Sequence, residues 1–70
     1  MNWDEVEGKW KQMKGSARER WGKFSADDIE FIGGKKDKLV GKIQEHYGRS
    51  QDEATREADE WCRDCDRVRH

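Results

Sequence analysis

Seventy residues allow one small domain, and a chain this short buries too little of its surface to be robustly stable. Only 31% of the residues are apolar and 44% are charged, close to the balance at which chains stop burying enough surface to offset the entropy of ordering. This excludes a large core and, with it, an enclosed pocket of several hundred cubic ångströms, while the net charge of −1 by itself rules neither an acidic nor a basic partner in or out.

Four tryptophans compensate for the thin aliphatic content, since each can bury roughly 150–250 Å². Trp3, Val6, Trp10, Met13, Ala17 and Trp21 recur every three or four residues, which predicts one amphipathic helix with Lys and Arg on its other faces. Asn2 is placed to cap its start and Gly22 its end, with a break or bend expected near Gly15. Ser25 followed by Asp28 forms a capping box with Asp in place of Glu. It opens a short helix through Ile29 and Ile32 that Gly33 and Gly34 terminate. A third helix from about Lys35 carries Leu39, Val40, Ile43 and Tyr47 and stops at Gly48. Ser50 with Glu53 then starts a fourth through Ala54, Ala58, Trp61 and Cys65. Acidic residues open these helices, as the helix dipole favours.

Gly15, Ala17, Trp21, Gly22, Ser25, Asp28 and Ile29 parallel Gly41, Ile43, Tyr47, Gly48, Ser50, Glu53 and Ala54. The pattern is either the trace of two like αα-hairpins on one core or a coincidence of short sequences. No apolar run reaches the length of a membrane span, and Met-Asn-Trp-Asp-Glu lacks the basic and apolar regions of a signal peptide, so a cytoplasmic location is expected. Cys62 and Cys65 fit that compartment as free thiols.

Trp-Lys-Gln-Met-Lys-Gly at 10–15, Arg-Trp-Gly-Lys at 20–23 and Gly-Lys-Lys-Asp-Lys-Leu-Val-Gly-Lys-Ile-Gln-Glu-His-Tyr-Gly at 34–48 resemble the CsbD-like family, over a stretch from Met1 to about Trp61. The resemblance implies a small bacterial general stress-response protein with a compact helical fold similar to paired αα-hairpins of the SAM-domain-like type. It implies no biochemical activity. The cysteine pair departs from the family pattern.

Cys62 and Cys65 share a helix face and with His70 would offer three soft ligands to zinc, but a structural site takes four and His46 lies on a different helix. The favoured reading is that Cys65 packs near Trp61 as a small apolar residue. Gly33-Gly34-Lys35-Lys36 lacks the strand and spacing of a phosphate-binding loop, and no nucleophile–base pair or paired carboxylates with supporting context appear. A nucleic-acid reading remains: the turn at 31–36 loosely resembles a helix-hairpin-helix, with Lys35, Lys36, Lys38 and Lys42 as backbone contacts, although Asp27, Asp28 and Glu30 nearby have the wrong sign. The tryptophan stripe would alternatively serve as a docking surface for a protein partner, but the chain needs it for a core.

The expectation is therefore an all-α domain over 1–70 of four short helices in two packed hairpins, ordered over roughly 3–62 and frayed over 63–70. Trp10, Trp21, Ile29, Ile32, Leu39, Ile43, Tyr47 and Trp61 form its expected core. It is expected to be a monomer without enzymatic activity, cofactor, metal, membrane association or small-molecule substrate. Its role would be protective, through a very hydrophilic surface with a mean hydropathy of −1.41.

Overall fold

The computed structural model describes residues 2–68 as five helices: α1 (Trp3–Gly8), α2 (Trp10–Arg20), α3 (Ala26–Ile32), α4 (Lys36–Tyr47) and α5 (Gln51–Val68). The all-helical class agrees with the periodicity. The expected count of four does not, because the first predicted helix divides at Gly8–Lys9 rather than near Gly15. Lys9 leaves the helical region (φ −109°, ψ 17°), donates its N–H to the Glu5 carbonyl at 2.9 Å and accepts from Gln12 and Met13. One residue thus ends α1 and starts α2, at a point where glycine makes helix continuation least favourable.

Gly15, by contrast, sits inside α2, exposed, with no atom within 4 Å of the position a Cβ would take. It costs helix propensity and gains nothing from close packing. Gly15→Ala should raise stability by about 1 kcal/mol, read as a higher urea midpoint at unchanged slope.

The predicted N-caps form as capping boxes. Asn2 accepts from the Glu5 N–H at 2.8 Å, and Ser25 and Ser50 accept from the N–H groups of Asp28 and Glu53, both at 3.1 Å, with each acid bonding back. The expected left-handed cap at Gly22 is absent. α2 ends instead on Trp21 in a non-helical conformation with negative φ (φ −122°, ψ 83°), whereas Gly48 does close α4 with φ 65°. The two halves therefore share their Ser caps and differ at the glycine stop. The physical reason is Trp21 itself: the chain turns there, with Phe24 N–H on the Trp21 carbonyl, so that Trp21 and Phe24 both face inward and stack at 5.7 Å.

α1 packs on α2, α2 on α3, α3 on α4 and α4 on α5. At the centre stands Trp61 of α5, whose ring meets Trp3 at 6.2 Å, Trp10 at 6.1 Å and Trp21 at 5.6 Å. The four indole N–H groups all have acceptors: Asp59 for Trp3, the Ile29 carbonyl for Trp10, Glu57 for Trp21 and Ser16 Oγ for Trp61. Tryptophan thus supplies the apolar mass without stranding a donor. Seven of the eight expected core residues are buried; the exception is Tyr47, half-buried at the edge, where its hydroxyl accepts from the Lys23 N–H at 3.1 Å. Phe24, not expected in the core, is buried there.

Candidate functional site

The Gly33–Gly34 turn takes positive φ at both residues, 56° and 84°, and Gly34 is buried against α1. A Cβ there would lie 2.6 Å from the Glu7 Cα and 3.0 Å from the Val6 carbonyl oxygen. Gly34 is accounted for by this close helix–turn approach, and Gly33 by its left-handed cap on α3.

The structure divides the four candidate lysines into two sets. Lys35 Nζ reaches Glu7 at 2.9 Å and Lys36 Nζ reaches Asp59 at 3.0 Å, tying the turn to α1 and α5. Glu7 accepts from Lys35 and raises its pKa, while at Asp59 burial acts upward but Lys36 and the Trp3 indole hold the net shift downward. Lys42 lies 3.0 Å from Asp28 and 3.4 Å from Glu45. Lys38 is different: no carboxylate of the described residues lies within ion-pair distance, and its Nζ sits 5.0 Å from the centre of the Phe31 ring. Lys42 Nζ is also 5.0 Å from that ring.

Phe31 is 55% exposed, the one large apolar side chain so exposed among the described residues. With Lys38, Gly41, Lys42, Asp37 and Glu45 it lines a shallow groove of about 350 Å³ between α3 and α4. Its exposure was legible in principle, because it falls between the inward positions Ile29 and Ile32 and so lies off the apolar stripe.

Behind this groove Asp28 joins α3 to α4. Its carboxylate accepts from the Ser25 N–H at 3.0 Å, from Lys42 at 3.0 Å and from His46 Nε2 at 2.8 Å, with its side chain 12% exposed. The backbone N–H of Ser25, then Lys42, hold its pKa well below the carboxylate range against the opposing effect of burial, and Asp28 in turn raises Lys42. A carboxylate depressed on folding binds its proton first in the unfolded chain. Its stabilisation is therefore complete above the ordinary value of about 4 and is lost as pH falls from there toward the folded value. Urea midpoints of the protein should fall below about pH 4, and Asp28→Asn should flatten that fall while lowering stability at neutral pH.

Cys65 packs beside Trp61 as a partly buried residue, 3.6 Å from Ser16 Oγ, and Cys62 is buried in the core. His70 lies outside the described residues. A groove of about 630 Å³ runs along α2 and α5 past Gln12, Met13, Gly15, Ser16, Trp61 and Cys65. Composition gave no expectation of such a volume. It exists as an open surface channel rather than an enclosed pocket, because Gly15 and Ser16 leave α2 with little side-chain bulk there. Among the described residues no group of three or more His, Cys, Asp or Glu is placed to hold a metal ion, and no helix is long and apolar enough to cross a membrane.

The family model described as CsbD-like matches residues 4–56, which takes in the Asp28–Lys42–His46 cluster, the Phe31 groove and the Gly33–Gly34 turn. The chain belongs to the CsbD-like family. Among its relatives, the UPF0337 protein YjbJ of Escherichia coli K12 is 60% identical over 45 residues, which are 64% of this chain and 65% of that protein. The match thus spans just under two thirds of that relative's length. The UPF0337 protein ECA0631 of Pectobacterium atrosepticum is 58% identical over 45 residues, with the same coverage of both chains. The UPF0337 protein NE2439 of Nitrosomonas europaea is 41% identical over 69 residues, covering 99% of this chain and 73% of that one. CsbD-like proteins are a general stress-response family. Trp61, Cys62 and Cys65 lie beyond the residues matched by the family model, although Trp61 organises this chain's core.

Proposed function

We propose that this CsbD-like protein contributes to bacterial stress tolerance as a cytoplasmic monomer that catalyses no reaction, and that it protects other molecules through its hydrated surface. On this reading the bundle is a pair of SAM-like αα-hairpins, α2 with α3 and α4 with α5. The observation that carries the proposal is the distribution of charge. With 44% charged residues, no charged side chain of the described residues is buried, and acids and bases are interleaved in ion pairs that link separate helices. Lys14–Glu30, Arg20–Glu60, Lys36–Asp59 and Lys42–Asp28 are the examples, and Lys35–Glu7 and Arg49–Glu57 tie connecting residues to helices in the same way. In water such pairs contribute little. As water is removed the dielectric falls and they strengthen, so the domain keeps its shape and its charged coat where less polar proteins aggregate.

The test is protection of a labile enzyme through drying and freeze–thaw at physiological amounts of the protein. Activity retained above that given by an equal mass of an inert globular protein supports the proposal. Retention no better than that control overturns it.

A second reading is favoured by the exposed Phe31 with Lys38 and Lys42 about its ring: contact with nucleic acid on the α3–α4 face. Lys35 and Lys36, each tied to an acid, have less to contribute to it.

A further inference from the structure

We propose that the α3–α4 groove is a stacking site for single-stranded nucleic acid, with an unpaired base on Phe31 and the adjoining phosphate on Lys38; this rests on the second reading above. The chain sends nearly every large apolar side chain inward, yet leaves Phe31 at 55% exposure beside two ammonium groups. An exposed aromatic ring among cations is the elementary unit by which proteins hold unpaired bases, because every base has a π-face and every nucleotide brings a phosphate.

The groove decides between partners. A volume of about 350 Å³ built on one exposed ring is the size of a base or two. One exposed ring offers far less surface than a stable protein interface buries, about 800 Å² on each partner. Duplex nucleic acid keeps its bases stacked inside and offers Phe31 nothing, and duplex binding needs several free cations on one face. Here Lys35, Lys36 and Lys42 have carboxylate partners, whereas Lys38 has none among the described residues. Gly41, facing the same groove with open space where a Cβ would stand, lets a planar ring approach α4.

Binding of the full chain to a labelled oligothymidylate, its oligouridylate counterpart and a duplex of equal length, followed by fluorescence anisotropy from low to physiological salt, tests this. Single strands should bind saturably and more tightly than duplex. Phe31→Ala should weaken them roughly tenfold or more, Phe31→Trp should preserve binding, and Lys38→Gln should lower the salt slope by about one phosphate contact. Lys11→Gln, an equal charge change on α2, should leave affinity close to that of the parent. Circular dichroism should show that all four variants fold. Duplex binding equal to single-strand binding, or single-strand binding unchanged by Phe31→Ala, would overturn the stacking site and leave the broader nucleic-acid reading standing. No binding to any of the three at low salt would overturn both.

Discussion

Trp21→Ala is expected to cost about 3–5 kcal/mol of folding stability, against a total of roughly 4–10 kcal/mol for a chain of this size. Trp21 is 1% exposed, stacks on Phe24 at 5.7 Å and meets the edge of Trp61 at 5.6 Å. Removing the indole therefore opens a void among the other aromatics at the point where α2 ends and the chain turns toward α3. Its hydrogen bond to Glu57 at 3.0 Å is the smaller part of the effect. Glu57 also pairs with Arg49 and keeps a partner when the indole is gone. Trp21→Phe, which retains a ring and loses that bond, should accordingly cost less than half as much as the alanine. Urea unfolding followed by circular dichroism measures both, and a melting temperature unchanged by Trp21→Ala would place the residue outside the core.

Gly34→Ala should be nearly as severe, at about 2–4 kcal/mol, through a different mechanism. The residue sits at φ 84°, which an L side chain adopts only with strain, and the new methyl would meet the Cα and N of Glu7 at 2.6 and 3.1 Å. These are backbone atoms of a helix, so the contact cannot be relieved by a rotamer change. α1 would have to move, and with it Val6 in the core and Trp3 against Trp61. Gly33→Ala provides the comparison: it carries the strain of φ 56° alone, with its nearest neighbour an ordinary 3.7 Å away, and should cost about 1–2 kcal/mol. Near-ultraviolet circular dichroism reports the resulting change in the tryptophan cluster that Trp3 joins through Trp61. Equal midpoints for the two alanine variants would mean that α1 does not abut the turn.

These two sites differ in how far they were legible from residues alone. Trp21 continues a stripe of period 3.6 in a chain with little other apolar mass, which predicts a core position, and the structure buries it for that reason. For Gly34 the local pattern predicts a helix stop, a role that any glycine after an amphipathic run fills. Its packing against Glu7 belongs to residues far apart in the chain, and no local pattern encodes it. The same division separates the lysines. Lys35, Lys36, Lys38 and Lys42 look alike as a basic run, and what distinguishes them is whether α1, α3 or α5 brings a carboxylate to each.

Local chemistry by itself determined the helical class, the Ser and Asn capping boxes, the glycine stops after α3 and α4 and most of the buried positions. These depend on groups within about four residues of one another, the reach of a helical turn. Tertiary structure decided which of two glycines divides the first helix, the inward turn of Trp21 and Phe24 in place of a glycine cap, the gathering of the tryptophans on Trp61 and the lack of a carboxylate beside Lys38 among the described residues. For the helix division the local alternatives, Gly8 and Gly15, each cost about 1 kcal/mol of helix propensity. The area that a single aromatic ring buries or leaves in water outweighs such a cost.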